Sequence, residues 1–483
     1  MQYHSTRSST PSVDSAQAVL NGLAPDGGLY VPQAIPQIDV AACLKENTIA
    51  MASRIISALL PDIPNMDTLV SRAYTGKFQT EELTPTVDTG AFTVLELFRG
   101  PTSAFKDVAL CMLPQLLTAA KTKKGMAEDI LILTATSGDT GKAALEGFRD
   151  VDGIKICVFY PHGGVSKVQR AQMVTQEGRN VAVCAIEGNF DDAQTGVKNI
   201  FATATDSVLP GGKRLSSANS INIGRLAPQI TYYFKAYKDL LDRGHIAMGD
   251  SVNFCVPTGN FGDILAGYIA KKMGLPVGKL ICASNANNVL TDFINTGVYD
   301  RRRPFLKTIS PSMDILISSN LERLLYLISQ DTGLVASLMA QLSTDGVYTV
   351  PQEMQDTIRD EFYAGCCDDA KAMQIINKVW QERKYLCDPH TATGWAVAED
   401  YVNQTGDTRP MVVLSTASPY KFPAAVLTAI GGCEEPDEFR QMEILQEKTG
   451  VPIPENLRDL DKRAEKHTGV IQKEAMLSFV TGL

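Results

Sequence analysis

The feature that most constrains this chain is a series of short apolar runs with almost no polar alternation. They fall at 130–135, 155–160, 181–186, 252–256, 280–283 and 411–414. A strand with one wet face alternates polar and apolar residues, whereas a strand covered on both faces does not. Each run leads into a turn rich in Gly, Ser or Asn and then into a stretch with helical spacing. Strands alternating with helices predict an α/β, doubly wound architecture with parallel sheets flanked by helices. Residues 1–95 are less regular, rich in Pro and Gly, and read as a separate N-terminal unit. Residues 96–300 read as the α/β core in two subdomains. Over 301–385 the glycine-turn signature disappears, and SNLERLLYLISQ and LVASLMAQL have helical period, which predicts a mainly helical insertion. Residues 386–483 read as a return to the core followed by charged C-terminal helices.

In open parallel sheets, ligands bind beyond the carboxyl ends of the strands. The residues directly after each run are therefore the informative ones. After 130–135 comes TSGDTGKAALEGF, residues 136–148, where glycines and hydroxyl or acidic residues open a helix. Such a start presents N–H groups to an anion, with Ser137 and Thr140 adding hydroxyls. It reads equally as an ordinary capped turn. After 252–256 comes PTGNFGD, residues 257–263, with Gly259 and Gly262 bracketing Asn260 and Phe261. This is a phosphate cup of neither the G-x-G-x-x-G nor the G-K-[ST] type, which sets aside the standard dinucleotide and nucleotide readings. After 411–414, Thr416 offers a hydroxyl at a strand end. The segments 387–396 and 415–423, taken alone, read as turns.

One lysine gains nothing from its place as a surface charge. In GPTSAFKDVAL, residues 100–110, Lys106 falls at the start of a predicted helix, where the dipole favours negative charge. Either Lys106 is simply solvated, or it is desolvated there, which favours the neutral, nucleophilic amine. A neutral amine forms an imine with an aldehyde. Taken together, this lysine, a hydroxyl-rich anion loop, a separate phosphate cup and a strand-end hydroxyl match the three handles of pyridoxal phosphate: aldehyde, phosphate and ring nitrogen.

Bulk properties exclude other classes. A net charge of −9 leaves no broad footprint for nucleic acid. No run approaches the roughly 20 apolar residues of a spanning helix. The start, MQYHSTRSSTPSVDS, lacks an apolar secretory core. The ten cysteines are scattered with no CxxC pair, and the five histidines are dispersed, so neither a disulfide framework nor a metal site is expected. The expected setting is the cytoplasm. Monomer and homodimer both stay open.

Seven motifs occur in one order: YHSTR near the start, GLAPDGGLYVP (22–32), FRGPTSAFKD (98–107), TATSGDTGKAA (134–144), PTGNFGD (257–263), DPHTATGWA (388–396) and STASPYKF (415–422). With these the chain resembles the threonine synthase family, in the longer form found in bacteria and fungi. The resemblance implies the fold-type-II, tryptophan-synthase-β-like fold and pyridoxal-phosphate chemistry on O-phosphohomoserine, giving threonine and phosphate. It implies that Lys106 holds the cofactor and acts as the proton-transferring base. Gly259, Asn260, Phe261, Gly262 and Asp263 would take the cofactor phosphate, and Thr416 the pyridine nitrogen. Ser137, Gly138, Asp139 and Thr140 would take the α-carboxylate end of the substrate. For the substrate phosphate the candidates are Lys167, Arg170, Asn219, Ser220, Asn222 and Arg225, with Lys167 and Arg170 reading equally as solvated helix residues. Two positions stand out. Ser418 occupies a place where the family often has His, and Pro114 predicts a kinked or broken helix after Lys106. Rival readings are a related dehydratase or phospho-lyase and a non-catalytic metabolite-binding regulator; an intact Lys106 argues against the regulator.

Overall fold

Both faces of the central strands are covered, which is why they read as unbroken apolar runs. Ile130–Ala135, Ile154–Pro161 and Val181–Glu187 form the middle of an all-parallel five-stranded sheet, whose edges are Arg214–Ser216 and Val470–Gln472. Val252–Pro257, Val277–Ser284 and Met411–Ser415 form the middle of a six-stranded sheet. Its order runs from Phe362–Cys366 through these to Thr93–Glu96 and Thr86–Asp88, and only the last pair is antiparallel. This computed structural model describes the whole chain except residues 137, 205–207, 210–211 and 433–434 and the side chain of residue 191. The expectations placed on Ser137 and Cys433 lie outside the described residues. Among the described residues no helix is long and apolar enough to cross a membrane.

The N-terminal unit has its own antiparallel sheet, with Gln2–Ser5 between Ser8–Asp14 and Tyr30–Pro32. Its helices Ser15–Asn21 and Thr48–Leu59 start where Asp14 and Asn47 accept a backbone N–H of the first turn. The unit does not stop cleanly at 95, because Thr86–Asp88 and Thr93–Glu96 are strands of the six-stranded sheet. Nor does the 301–385 stretch stand apart from the core. It holds the helices Leu321–Ser329, Thr332–Thr344, Gln352–Glu361 and Asp369–Arg383, yet Phe362–Cys366 pairs in parallel with Val277–Ser284 as an edge strand. Edge strands are short and only partly covered, so they lack the apolar signal of the central ones.

Of the kink or break expected at Pro114, the break does not occur: the helix Lys106–Lys123 runs through it. Proline leaves the carbonyl four residues earlier, that of Leu110, without its helical donor. Gly147 of the helix Asp139–Phe148 packs against that carbonyl so closely that a Cβ there would lie 2.1 Å from the oxygen. The neighbouring helix thus fills the space that the missing bond opens, and its own sequence supplies a glycine where contact is closest.

Candidate active site

Lys106 is placed by a loop sewn to the end of the neighbouring strand. Leu97 and Phe105 donate backbone N–H to the carbonyls of Ser415 and Thr416 at 2.9 and 2.8 Å, and Ser418 donates to Ser103 at 3.1 Å. Asp107 ties the turn internally, accepting the Thr102 N–H at 2.8 Å and the Thr102 hydroxyl at 2.5 Å. Gly100 permits this, since a Cβ there would sit 2.4 Å from the Asp107 carboxylate. Asn456, far along the chain, accepts the Ser103 hydroxyl at 3.0 Å and donates to the Pro101 carbonyl at 2.9 Å. Lys106 then falls on the first helical residue, its Nζ 4.8 Å from the centre of the Phe105 ring.

The Lys106 side chain is 12% exposed, and its Nζ lies 3.4 Å from Ser312 Oγ and 4.0 Å from Asp139 Oδ2. Burial pulls its pKa down to about 8; Asp139 opposes the shift, and the charges of Lys421 and Arg225 add to it. Asp139 opens the helix after the 130–135 strand, so the lysine and the carboxylate follow strands of different sheets. The other oxygen of Asp139, Oδ1, pairs with Lys421 Nζ at 2.6 Å and accepts Gln169 Nε2 at 3.0 Å. Burial works against its charge, but the ammonium groups of Lys421 and then Lys106 outweigh burial and hold the carboxyl well below the usual range. Lys421 is 0% exposed and also donates to the Thr102 carbonyl at 3.3 Å. Gly138 precedes Asp139 at φ 148°, and a Cβ there would meet Gln169 Nε2 at 2.4 Å. Only glycine satisfies both constraints.

Ser312 joins this cluster to a buried histidine. Its backbone N–H donates to His390 Nε2 at 3.2 Å, and His390 Nδ1 meets Asp388 Oδ1 at 2.7 Å. An acceptor at Nε2 and a carboxylate at Nδ1 put the ring proton on Nδ1. Asp388 also caps the helix Pro389–Thr405, accepting the His390 N–H at 2.9 Å. The segment 387–396, read from sequence as a turn, is thus the start of a helix that fixes Ser312.

The glycine loop enters the helix Gly262–Lys272 through Phe261 in the left-handed region, φ 61°. The N–H groups of the first turn have no intrahelical acceptor. The 310–320 segment braces the loop. Ser318 Oγ donates to the Gly259 carbonyl at 2.8 Å, and the Asn320 N–H donates to the Asn260 carbonyl at 3.0 Å. The Asp263 side chain turns away, accepting the hydroxyls of Tyr232 and Tyr233 at 2.6 and 3.0 Å. Burial pushes its pKa up to about 6. What Asp263 can offer an anion is therefore its main-chain N–H.

The remaining candidates divide. Thr416 is buried, beside the Phe105 N–H that its carbonyl accepts. Thr140 is half-buried in the first turn after Asp139. The Asp139 carboxylate is committed to cations and Gln169, so what this loop holds for another carboxylate is main chain and the Thr140 hydroxyl. Arg225 is buried, donates Nη1 to the Ala218 carbonyl at 2.7 Å, and has no partner for Nε among the described residues. Burial lowers its pKa to about 10. Asn219 is exposed, Asn222 is spent on the Val19 carbonyl and the Gly224 N–H, and the Ser220 carbonyl accepts Asn320 Nδ2. Lys167 and Arg170 are not brought to Lys106. Lys167 is 62% exposed and pairs with Asp437 at 3.5 Å, and Arg170 forms a two-pronged pair with Glu465. The acids of the C-terminal segment claim both. Ser418 caps the turn Pro419–Lys421 by accepting the Tyr420 N–H at 3.3 Å.

Lys421, Ser312, His390 and Gln169 were not singled out from sequence. Lys421 and His390 do sit inside quoted motifs, STASPYKF and DPHTATGWA, where a cation or imidazole beside strand-end hydroxyls was the available signal. Ser312 and Gln169 carry none.

Comparison with known proteins covers nearly the whole chain. The family model described as "Threonine synthase N terminus" matches residues 2–74, "Pyridoxal-phosphate dependent enzyme" matches 74–417, and "Threonine synthase, C-terminal" matches 391–480. Threonine synthase of Pseudomonas aeruginosa is 40% identical over 97% of this chain and 95% of its own length. Human threonine synthase-like 1 is 39% identical over 86% of this chain, and the chain spans 58% of that relative's length. The crystal structure of PLP-bound threonine synthase from Brucella melitensis superposes with a TM-score of 0.89 at 39% identity, covering 100% of this chain and 99% of that one.

Proposed function

The chain belongs to the threonine synthase family of pyridoxal-phosphate-dependent enzymes, and from that premise we propose that it converts O-phospho-L-homoserine and water to L-threonine and phosphate. The observation that carries the proposal is Lys106: an amine of lowered pKa, nearly enclosed, at the carboxyl ends of one parallel sheet and facing the Asp139 loop of another. An enclosed lysine with a pKa near 8 is poised as a nucleophile and base close to neutral pH.

The residues fit the cofactor. Gly259 leaves room where a Cβ would strike the Ser312 carbonyl at 2.6 Å, and the helix start at Gly262 aims unsatisfied N–H groups as a phosphate needs. Asn260, Phe261, Gly262 and the main chain of Asp263 would hold that phosphate, Lys106 the aldehyde carbon, and Thr416 the ring nitrogen. When bound, the cofactor supplies an electron sink for carbanion character beside the substrate amine.

The chain's own groups do the rest. Lys106 Nζ, freed by the substrate amine, takes a proton from the substrate α-carbon and one from Cβ; phosphate leaves from Cγ, protons go back to Cγ and finally to the α-carbon, and water adds its hydroxyl at Cβ and gives its other proton to the departing phosphate. Ser312 Oγ and Asp139 keep that amine pointed between the sheets. Lys421 and Lys106 both pair with the Asp139 carboxylate, so a substrate bearing extra negative charge would meet the Asp139–Thr140 main chain and the buried guanidinium of Arg225 rather than an unpaired carboxylate. Arg225 is the buried cation we assign to the substrate phosphate, on the Nε that has no partner among the described residues. The compartment proposed is the cytoplasm, on the scattered cysteine pattern, and the place in metabolism is the last step of threonine biosynthesis.

The test measures phosphate and threonine together in purified protein supplied with pyridoxal phosphate and O-phosphohomoserine. Equal release supports the proposal. Phosphate with keto acid and ammonia moves the chain to a phospho-lyase, and no release from either product pool overturns the enzyme reading.

A further inference from the structure

Two motifs, YHSTR and GLAPDGGLYVP, take no part in the chemistry above, yet both converge on one helix start. His4 Nε2 lies 3.0 Å from the Tyr326 hydroxyl. Thr6 donates its hydroxyl to Glu322 at 2.5 Å, and Arg7 grips the same carboxylate with Nε and Nη2, each at 2.8 Å. Thr6 also pairs with Leu29 through both main chain and side chain, which locks the first motif to the second. Next to Glu322, Arg323 is fully buried. Its Nε donates to the Tyr30 carbonyl at 3.0 Å, Nη1 to Asn320 Oδ1 at 2.5 Å, and Nη2 to the Ile221 carbonyl. Among the described residues none of these bonds goes to a carboxylate. Asn320 in turn donates its N–H to the Asn260 carbonyl and its Nδ2 to the Ser220 carbonyl, and it lies against Gly262.

A buried guanidinium that is hydrogen-bonded to no carboxylate among the described residues, with Glu322 acting on it only through space, costs stability that an apolar side chain of similar size would not. What it supplies is geometry: a rigid planar fork that fixes three chain segments relative to one another. We propose that Arg323 is a positioning residue through which the N-terminal unit sets the conformation of the 259–263 loop, with Thr6 and Arg7 clamping Glu322, Arg323 aligning Asn320, and Asn320 holding the Asn260 peptide. This rests on the reading that the loop takes the cofactor phosphate. The N-terminal motifs then act at the phosphate end of the cofactor and not at its aldehyde end.

The experiment titrates full-length, cofactor-free protein with pyridoxal phosphate and, separately, with pyridoxal, which has no phosphate. The ratio of the two affinities reads the loop's contribution. Arg323→Met lowers that ratio about tenfold, the low end of what loss of supporting contacts costs at metal sites, and leaves the pyridoxal affinity unchanged. Arg7→Gln, at a side chain 28% exposed, lowers it by a smaller factor and keeps the test open should Arg323→Met fail to fold. An unchanged ratio in folded variants, or a parallel fall in both affinities, overturns the proposal in favour of a purely structural role. A wild-type protein that binds both compounds equally overturns the phosphate-loop reading itself.

Discussion

Lys106 Nζ stands 4.0 Å from Asp139 Oδ2, although the two residues follow strands of different sheets. The carboxylate is shared, since its other oxygen pairs with the buried ammonium of Lys421 at 2.6 Å. One buried anion between two cations leaves the less tightly held cation, Lys106, easiest to discharge. Its longer contact and its pKa near 8 agree on this point.

The folded-state pKa of Lys106 lies below the ordinary value of 10.5, so enclosing its charge costs stability at every pH below about 8. The cost fades as pH rises from about 8 towards 10.5, because the unfolded chain then holds the proton that the folded one has lost. In cofactor-free protein Lys106→Met is expected to add about 3 kcal/mol at pH 7, with a smaller gain at pH 9.5. Denaturant unfolding at the two pH values measures this. An equal gain at both would show that charge is not the cause. The same variant is expected to lose turnover by about a thousandfold or more while remaining folded.

Asp139→Asn strips Lys421 of its partner in a fully covered site. Breaking a buried pair in this way costs about 3–5 kcal/mol. It also removes the charge that raises the Lys106 pKa, so the pH at which that amine reacts with an amine-directed reagent falls below the wild-type midpoint near 8. A midpoint that rises instead would contradict the contact.

Gly259→Ala and Gly262→Ala are expected to differ. A Cβ at Gly259 would strike the Ser312 carbonyl at 2.6 Å, whereas at Gly262 the nearest atom is the movable Asn320 Nδ2 at 3.3 Å. The first variant should lose about 1–3 kcal/mol through forced backbone movement and bind pyridoxal phosphate more weakly than the second. Thermal unfolding and cofactor titration rank them, and the reverse order would mean that the loop is not braced by the 310–320 segment.

Asp388→Ala removes both the cap of the Pro389–Thr405 helix and the partner of His390 Nδ1. The expected loss is about 2–3 kcal/mol in unfolding free energy. Because the proton of His390 is then free to move to Nε2, the Ser312 N–H loses its acceptor and turnover falls with it. An unchanged kcat beside lower stability would separate His390 from the Lys106 site.

The central strands, the glycine loop at 259–263 and the position of Lys106 were legible in the sequence. Burial on both faces writes itself as an unbroken apolar run, and a tight turn into a helix writes itself as glycine spacing; both are agreements among near neighbours. The edge strands Phe362–Cys366 and Val470–Gln472 were not legible, because partial burial leaves no comparable pattern. Nor were charge partners. The same residue types left Lys167 and Arg170 undecided between anion ligands and solvated helix residues, and left Lys421 unremarked. Only the folded chain sets Asp437 and Glu465 beside the first two and Asp139 beside the third. Local spacing decides which elements form, but the partner of a charge is decided by which distant segment packs against it, and packing belongs to the tertiary structure alone.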